Sequence, residues 1–402
     1  MRKTLVIGNG FDLHCGLNSS YGDYFETKFT KEVKDFLDDL KKDYESLKNL
    51  SKYNRLEPMP IFSHIYFKNP EINRRKIKKM FDLAAPVSNL PIPSNLNDLS
   101  FWDLLFYFQK DDIPNEWNDI EKRIKSFVGK EIYLNNCFRP IGESSIYNLV
   151  SSTFYNYFDN DRFLKFDDEI SFLKKELDLL EKHFSQYLLK NKSSKKNYIS
   201  DSINFANKLL DMEGLKEADT INILNFNYTN PFEKKYILNH YSKTGIAHPH
   251  VVLHVRNIHG TLEEEDTIFG IDPKNVKTTD KSFTFTKTYR QLIGNISKTS
   301  NELVFTSTDN EVIFYGHSLS SLDYSYFEAI FDKLNLHDSN ARLVFKFTAF
   351  SGKTIEEISL DYVDKITKLL EEYASTLENK DHRENLVSRL LLENRISIQE
   401  IY

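Results

Sequence analysis

Short apolar runs that stop abruptly at glycine or a polar residue recur along this chain. Leu5-Val-Ile7 ends in Gly8-Asn9-Gly10. Thr220 to Phe226 runs into Asn225-Phe-Asn-Tyr-Thr-Asn230, and Val251 to Ile258 ends in His259-Gly260. Thr267 to Ile271 stops at Asp272-Pro273, Glu311 to Tyr315 at Gly316-His-Ser-Leu319, and Arg342 to Phe347 is a further run. Continuous apolar runs of this length are expected of strands buried on both faces of a parallel sheet. In such a sheet the carboxyl ends line up along one edge, where ligands bind. The pattern predicts an α/β protein with a Rossmann-like parallel sheet and polar residues gathered at one edge.

Between the first run and the second the period changes to that of helices. Phe36, Leu37, Leu40, Tyr44 and Leu47 form one stripe. After Asp167, a candidate N-cap, Ile170, Leu173, Leu177, Leu180, Phe184 and Tyr187 form another, suited to packing in a helical layer or to a dimerising coiled coil. Phe101 to Gln109 reads as a buried helix, and Asn115 to Glu121 opens the next. Residues from Lys52 to Ser100 hold six of the prolines and read as irregular. The tail from Thr354 to Tyr402 reads as helical, with Val363, Ile366, Leu370, Tyr373 and Leu377 in register. The expected organisation is a Rossmann-like core of residues 1–30 and 219–350, a mainly helical insertion of 31–218 and a helical C-terminal segment of 351–402.

Composition narrows the partners. The chain has 402 residues, 40% hydrophobic and 14% aromatic, enough for a substantial core. A formal charge of -6 disfavours a general polyanion binder, so nucleic acid is not an expected partner. The basic run Arg74 to Lys79 is the one stretch that would suit nucleic acid; a solvated face is its other reading. No apolar segment is long enough to span a bilayer, and Asn9 and Asp12 break the opening apolar stretch too early for a secretory signal. Two cysteines, Cys15 and Cys137, cannot build a disulfide framework or a four-cysteine zinc site, and the expected location is cytoplasmic. Cys15, beside the glycine turn, reads as a small buried residue or a reactive thiol.

The polar strand ends carry the candidate chemistry. Gly8-Asn9-Gly10 permits a tight turn and close approach of a phosphate to backbone, or serves only to connect strand and helix. It is not a dehydrogenase fingerprint, because Leu13 stands where the third glycine belongs and no acidic strand end follows. Asn227 offers donors and an acceptor for ribose hydroxyls or a water, and His259 can take a proton near neutral pH. Both also have plain structural readings, as a turn Asn and a structural His. His248, His250 and His254 share strand parity, but Pro249 interrupts them and His259 falls out of phase, so no metal is expected. Gly316-His-Ser-Leu-Ser lacks the spacing of a serine nucleophile turn; Ser318 and Asp323 instead suit ligand binding or helix capping.

Taken in order, Leu5 to Leu13 with Gly16-Leu17 and Ser20-Tyr21, Trp117 to Glu121, Asn225 to Thr229, Ile258-His-Gly260, Phe269 to Asp272 and Gly316 to Asp323 resemble the AbiH family of bacterial phage abortive-infection proteins. That family in turn resembles the sirtuin-like defence NADases. The resemblance implies a sirtuin-like core in which Gly8, Asn9, Gly10, Phe11 and Asp12 form the nucleotide-binding turn. It implies Asn227 as catalytic Asn with Tyr228 beside it, and His259 as catalytic His. Gly316, His317, Ser318 and Asp323 fall in a late ligand-binding loop. Thr229 stands where those enzymes commonly carry Asp, and the zinc ribbon of protein-deacylating sirtuins is missing. The expected activity is hydrolysis of NAD to nicotinamide and ADP-ribose, held in check until a phage trigger or homo-oligomer assembly releases it. The alternatives are a non-catalytic nucleotide-sensing module and a nucleic-acid-directed toxin.

Overall fold

The computed structural model describes residues 2–49, 87–110, 120–128, 145–158, 162, 169–212, 220–244, 252–294, 311–349, 352 and 354–401. Most of the proline-rich stretch, the basic run Arg74 to Lys79, Trp117, Cys137, Asp167, His248 and His250 lie outside the described residues.

Six strands form one all-parallel sheet: β1 (Arg2–Ile7), β2 (Thr220–Asn225), β3 (Val252–Asn257), β4 (Glu311–Tyr315), β5 (Arg342–Phe347) and β6 (Ile396–Glu400). Their order is β3-β2-β1-β4-β5-β6, the doubly wound arrangement. The order reverses between β1 and β4, so the crevice expected of this topology opens there. Register brings the strand ends level, with Ile7 beside both Asn225 and Tyr315, and Asn225 beside Asn257. The residues that follow, Gly8, Phe226, Ile258 and Gly316, therefore leave the sheet along one edge.

Alternation decides what covers each face. Leu5 and Ile7 pack with Ile221, Ile223 and Tyr315 under helices α8 (Tyr198–Leu210) and α9 (Lys234–Thr244). Val6, between them in sequence, joins Leu224, Phe314 and Phe345 on the opposite face. There the cover is α11 (Tyr324–Lys333), α12 (Ile355–Ala374) and α13 (Lys380–Leu392). Two apolar faces explain why these strands read as unbroken apolar runs.

A third core is helical and aromatic. It gathers α2 (Tyr21–Lys28), α3 (Lys31–Asn49), α4 (Phe101–Phe108), α5 (Ile120–Val128), α6 (Ser145–Tyr157) and α7 (Glu169–Ser194), with Leu262, Phe269, Ile271 and Phe285 from the sheet side. Helix α4 is buried at every position, and all of its residues but Asp103 are apolar or aromatic. Its first amides are satisfied by a Ser100–Asp103 capping box and by Glu176, whose Oε2 accepts from Phe101 N at 2.8 Å. No helix among the described residues is long and apolar enough to cross a membrane.

Two expectations need correction. Thr267 to Ile271 is not a strand; Ile271 makes only an isolated bridge to Thr286. The amides of Phe269 and Gly270 donate to the carboxylates of Glu181 and Glu121, at 2.6 and 3.2 Å, instead of to a neighbouring strand. The C-terminal segment is helical through α12 and α13, but its last residues add β6 to the sheet edge beside β5. Only Ile396 and Ile398 of that strand pack on the core, an alternation too short to stand out beside the preceding helix.

Candidate functional site

Helix α1 (Asn9–His14) begins directly after Gly8, and the turn before it packs backbone to backbone on the turn after β4. Gly8 N donates to Tyr315 O at 3.1 Å and Gly10 N to Gly316 O at 2.8 Å. A Cβ on Gly8 would lie 2.7 Å from His317 Cα, and one on Gly10 2.7 Å from Gly316 Cα. Gly316 itself has φ +67 and would drive a Cβ into Phe11 N. The three glycines thus bring the two switch-point turns into contact. Gly316→Ala should destabilise the protein by about 2–4 kcal/mol through strain and overpacking, visible as a lower Tm; an unchanged Tm would contradict this packing.

Asp12 is the centre of a first polar cluster. Only 2% exposed, its Oδ1 accepts from Tyr198 Oη at 2.8 Å and from Asn227 Nδ2 at 3.1 Å. Its Oδ2 accepts from Thr229 Oγ1 at 2.7 Å. Burial pushes the Asp12 carboxyl up to about 6, against the three hydrogen bonds that favour its ionised form. Asn225 braces the turn from below: its Nδ2 donates to Thr229 O and Asn257 Oδ1, and its Oδ1 accepts from Asn227 N. The Oδ1 of Asn227 is buried and has no partner among the described residues.

A second cluster surrounds Asp323. Phe226 O can only accept, so His259 Nδ1, 3.1 Å away, carries a proton. His259 Nε2 lies 3.2 Å from Asp323 Oδ1. Leu319 N donates to His317 Nδ1, which places the His317 proton on Nε2, 3.4 Å from Asp323 Oδ2. Lys287, on α10 (Lys287–Gly294), completes the group with Nζ 2.5 Å from Asp323 Oδ1, 2.8 Å from Glu121 Oε2 and 3.1 Å from Leu322 O.

The electrostatics follow from burial and pairing. Burial alone would lower Lys287, but the carboxylates of Asp323 and Glu121 outweigh it and hold the ammonium above its usual range. Burial would raise Asp323, yet Lys287 and His259 hold it well below the usual carboxylate range. Burial, aided by Lys287 and opposed by Asp323, lowers His259. Glu121, with burial outweighing its Lys287 contact, is pushed up to about 7. Burial thus favours the uncharged imidazole, while Asp323, whose Oδ1 lies 3.2 Å from Nε2, favours a proton on that nitrogen.

The candidate residues therefore divide. Asp12 and Asn227 touch each other; His259, His317 and Asp323 form the other group. The Phe226 ring stands between the two histidines, with centroids 5.5 Å from His259 and 4.6 Å from His317. Tyr228 places its ring 6.1 Å from His259 and donates to Ile268 O. Phe11 is a core residue against Phe205 and Phe232. Asn9 is exposed and accepts from Ser19 Oγ, while Ser318 is exposed. Cys15 is buried, its thiol pushed up to about 12 by that burial, which suits a packed residue. Lys287, Glu121, Tyr198 and Thr229 were not foreseen in these roles. Glu121 closes the Trp117 to Glu121 motif, a signal that the residue mattered without saying for what.

Asp272 ties this site to the next helix, accepting from Ser325 N at 2.9 Å and Ser325 Oγ at 2.8 Å in the first turn of α11. A cavity of about 1050 Å³ lies between α8, α9 and the β2–β3 face, lined in part by Phe232, Tyr241, Asn257 and Thr261. Neither Asn227 nor His259 lines it. His337, Asp338 and His382 cluster near α13. There Arg389 Nη1, 3.0 Å from His337 Nδ1 and 3.3 Å from Asp338 Oδ1, fills the place a cation would take.

No curated protein and no solved structure matches the chain. The family model described as bacteriophage abortive infection AbiH matches residues 4–347, a span that holds every residue of both polar clusters. The chain belongs to the AbiH family, and with it to phage abortive infection.

Proposed function

We propose that this protein is an abortive-infection effector that hydrolyses NAD to nicotinamide and ADP-ribose. The observation that carries the reading is the Oδ1 of Asn227, just past the carboxyl end of β2 and beside the switch point, buried and without a partner among the described residues. A buried acceptor without a partner is costly, and a substrate hydroxyl would satisfy it. In this reading residues 1–30 and 219–350 supply the reacting groups, and Glu121 and Tyr198 join them from the described helices of 31–218. Asn227 accepts from a ribose hydroxyl, and His259 Nε2 takes the proton of the attacking water. As the water oxygen bonds to the ribose C1′, the C1′–N bond breaks and its electron pair leaves with nicotinamide. Asp323, kept ionised by Lys287, stabilises the imidazolium that forms. The proton is then released to solvent with ADP-ribose.

Asn227 and His259 are 4% and 6% exposed, and the Gly8 and Gly10 amides are spent on the β4 turn. The arrangement therefore corresponds to a resting state, which suits an enzyme whose activity would harm its host. A phage cue or assembly with a second copy would part the two turns. The test is nicotinamide release from NAD by the full-length protein, purified from phage-challenged and unchallenged cells. His259→Ala should lower release by about 10²–10⁴-fold. Equal release from wild type and variant, or none after challenge, would overturn the proposal. A second reading, binding of NAD or a derived signal without turnover, draws on the contact that ties His259 to Asp323 and Lys287. Calorimetric binding of NAD with no nicotinamide formed would favour it.

A further inference from the structure

The carboxylate of Asp12 joins three segments far apart in sequence. Tyr198 reaches it from α8, Asn227 and Thr229 from the turn after β2, and all of these groups are buried. A carboxylate only accepts, so of the two ends of the Asn227 carboxamide only Nδ2 can face it. Turning the amide over would set Oδ1 against the anion and leave the NH₂ in place of the oxygen. The main chain at this position is held as well, Asn227 N donating to Asn225 Oδ1 at 3.0 Å. The oxygen that lacks a partner among the described residues is therefore the oxygen that Asp12 has turned away from itself.

We propose that Asp12 is a positioning residue: it locks the Asn227 carboxamide with its oxygen presented to the substrate. The substrate half of this statement rests on the hydrolase reading; the orientation does not. Other charged or titratable groups that act on Asp12 are Tyr198 on α8, Cys15 just past its own helix and Lys192 on α7.

The full-length protein, labelled with ¹⁵N-asparagine, gives a readout independent of turnover. The Asn227 side-chain NH₂ pair, identified by its loss in Asn227→Asp, should shift with pH at a midpoint of about 6. In Asp12→Asn that titration should vanish, while the retained amide oxygen at position 12 keeps one acceptor for Asn227. In Asp12→Leu, which has no acceptor, nicotinamide release should fall by about 100-fold in kcat with KM changed less than about 3-fold. Asp12→Asn should fall less. Asn227 NH₂ signals that ignore pH in the wild type and keep their positions in Asp12→Asn would overturn the orientation. A titrating amide in a protein that never releases nicotinamide would support the orientation and remove the hydrolase reading alone.

Discussion

Lys287→Met should lower the free energy of unfolding by about 3–5 kcal/mol, the usual effect of removing one partner from a buried charge network. The lysine is fully buried, and its ammonium lies between Asp323 and Glu121. Methionine approximates its volume, so the loss comes from stranding Asp323 and Glu121 without a countercharge and not from a cavity. That origin fixes the pH dependence. Without Lys287 the two carboxyls rise in the folded state, so the variant gains stability as they protonate. Its deficit should be largest at alkaline pH and shrink on acidification. Adding Glu121→Gln should recover part of the loss, because the two sites share one network and their effects do not add. Urea unfolding of the single and double variants measures both effects. A loss below about 1 kcal/mol, within the range of an exposed pair, would mean that Lys287 is not a buried countercharge.

The same lysine shows where sequence reading stops. Strands β1, β2, β4 and β5 were legible because each is covered on both faces and so reads as a continuous apolar run. The nearly all-apolar α4 and the apolar stripe of α7 were legible for the same reason, as runs of core-facing residues. Asn227, His259 and Gly316 were legible as candidates because each stands within two residues of a strand's carboxyl end. Lys287 carries no such mark: its contacts with Asp323 and Glu121 span 36 and 166 positions. A buried lysine looks like any surface lysine until its carboxylates arrive. The strand-like Thr267 to Ile271 misled for the converse reason. Two carboxylates from the helical layer capture its amides, a competition that no local pattern records. The division of the site was hidden too, since Asp12 meets Tyr198 and Thr229 across 186 and 217 positions.

Asp12 also yields a prediction about stability, with a sign opposite to that of a salt-bridged acid. All three of its hydrogen-bond donors are neutral, so no countercharge in direct contact compensates for burying its anion. Burial raises the folded carboxyl from 3.8 to about 6. Between those values the folded state binds a proton that the unfolded chain has already released. The contribution of Asp12 is therefore fully present below pH 3.8, declines as pH rises and is lost above about pH 6. At 1.36 kcal/mol per pKa unit the loss is about 3 kcal/mol. Asp12→Asn cannot ionise and escapes this decline. Whatever the two proteins' relative stability at pH 4, the balance should move by about 2–3 kcal/mol toward the variant by pH 8. Denaturant midpoints across that interval, with equal m-values, measure the shift; parallel pH profiles would show that Asp12 is solvated or paired in the folded protein. If the shift appears together with loss of nicotinamide release, the wild type holds a destabilising anion at the one place where it orients Asn227. A carboxylate with only a packing role would gain nothing from remaining ionisable, because asparagine fills the same space without that cost.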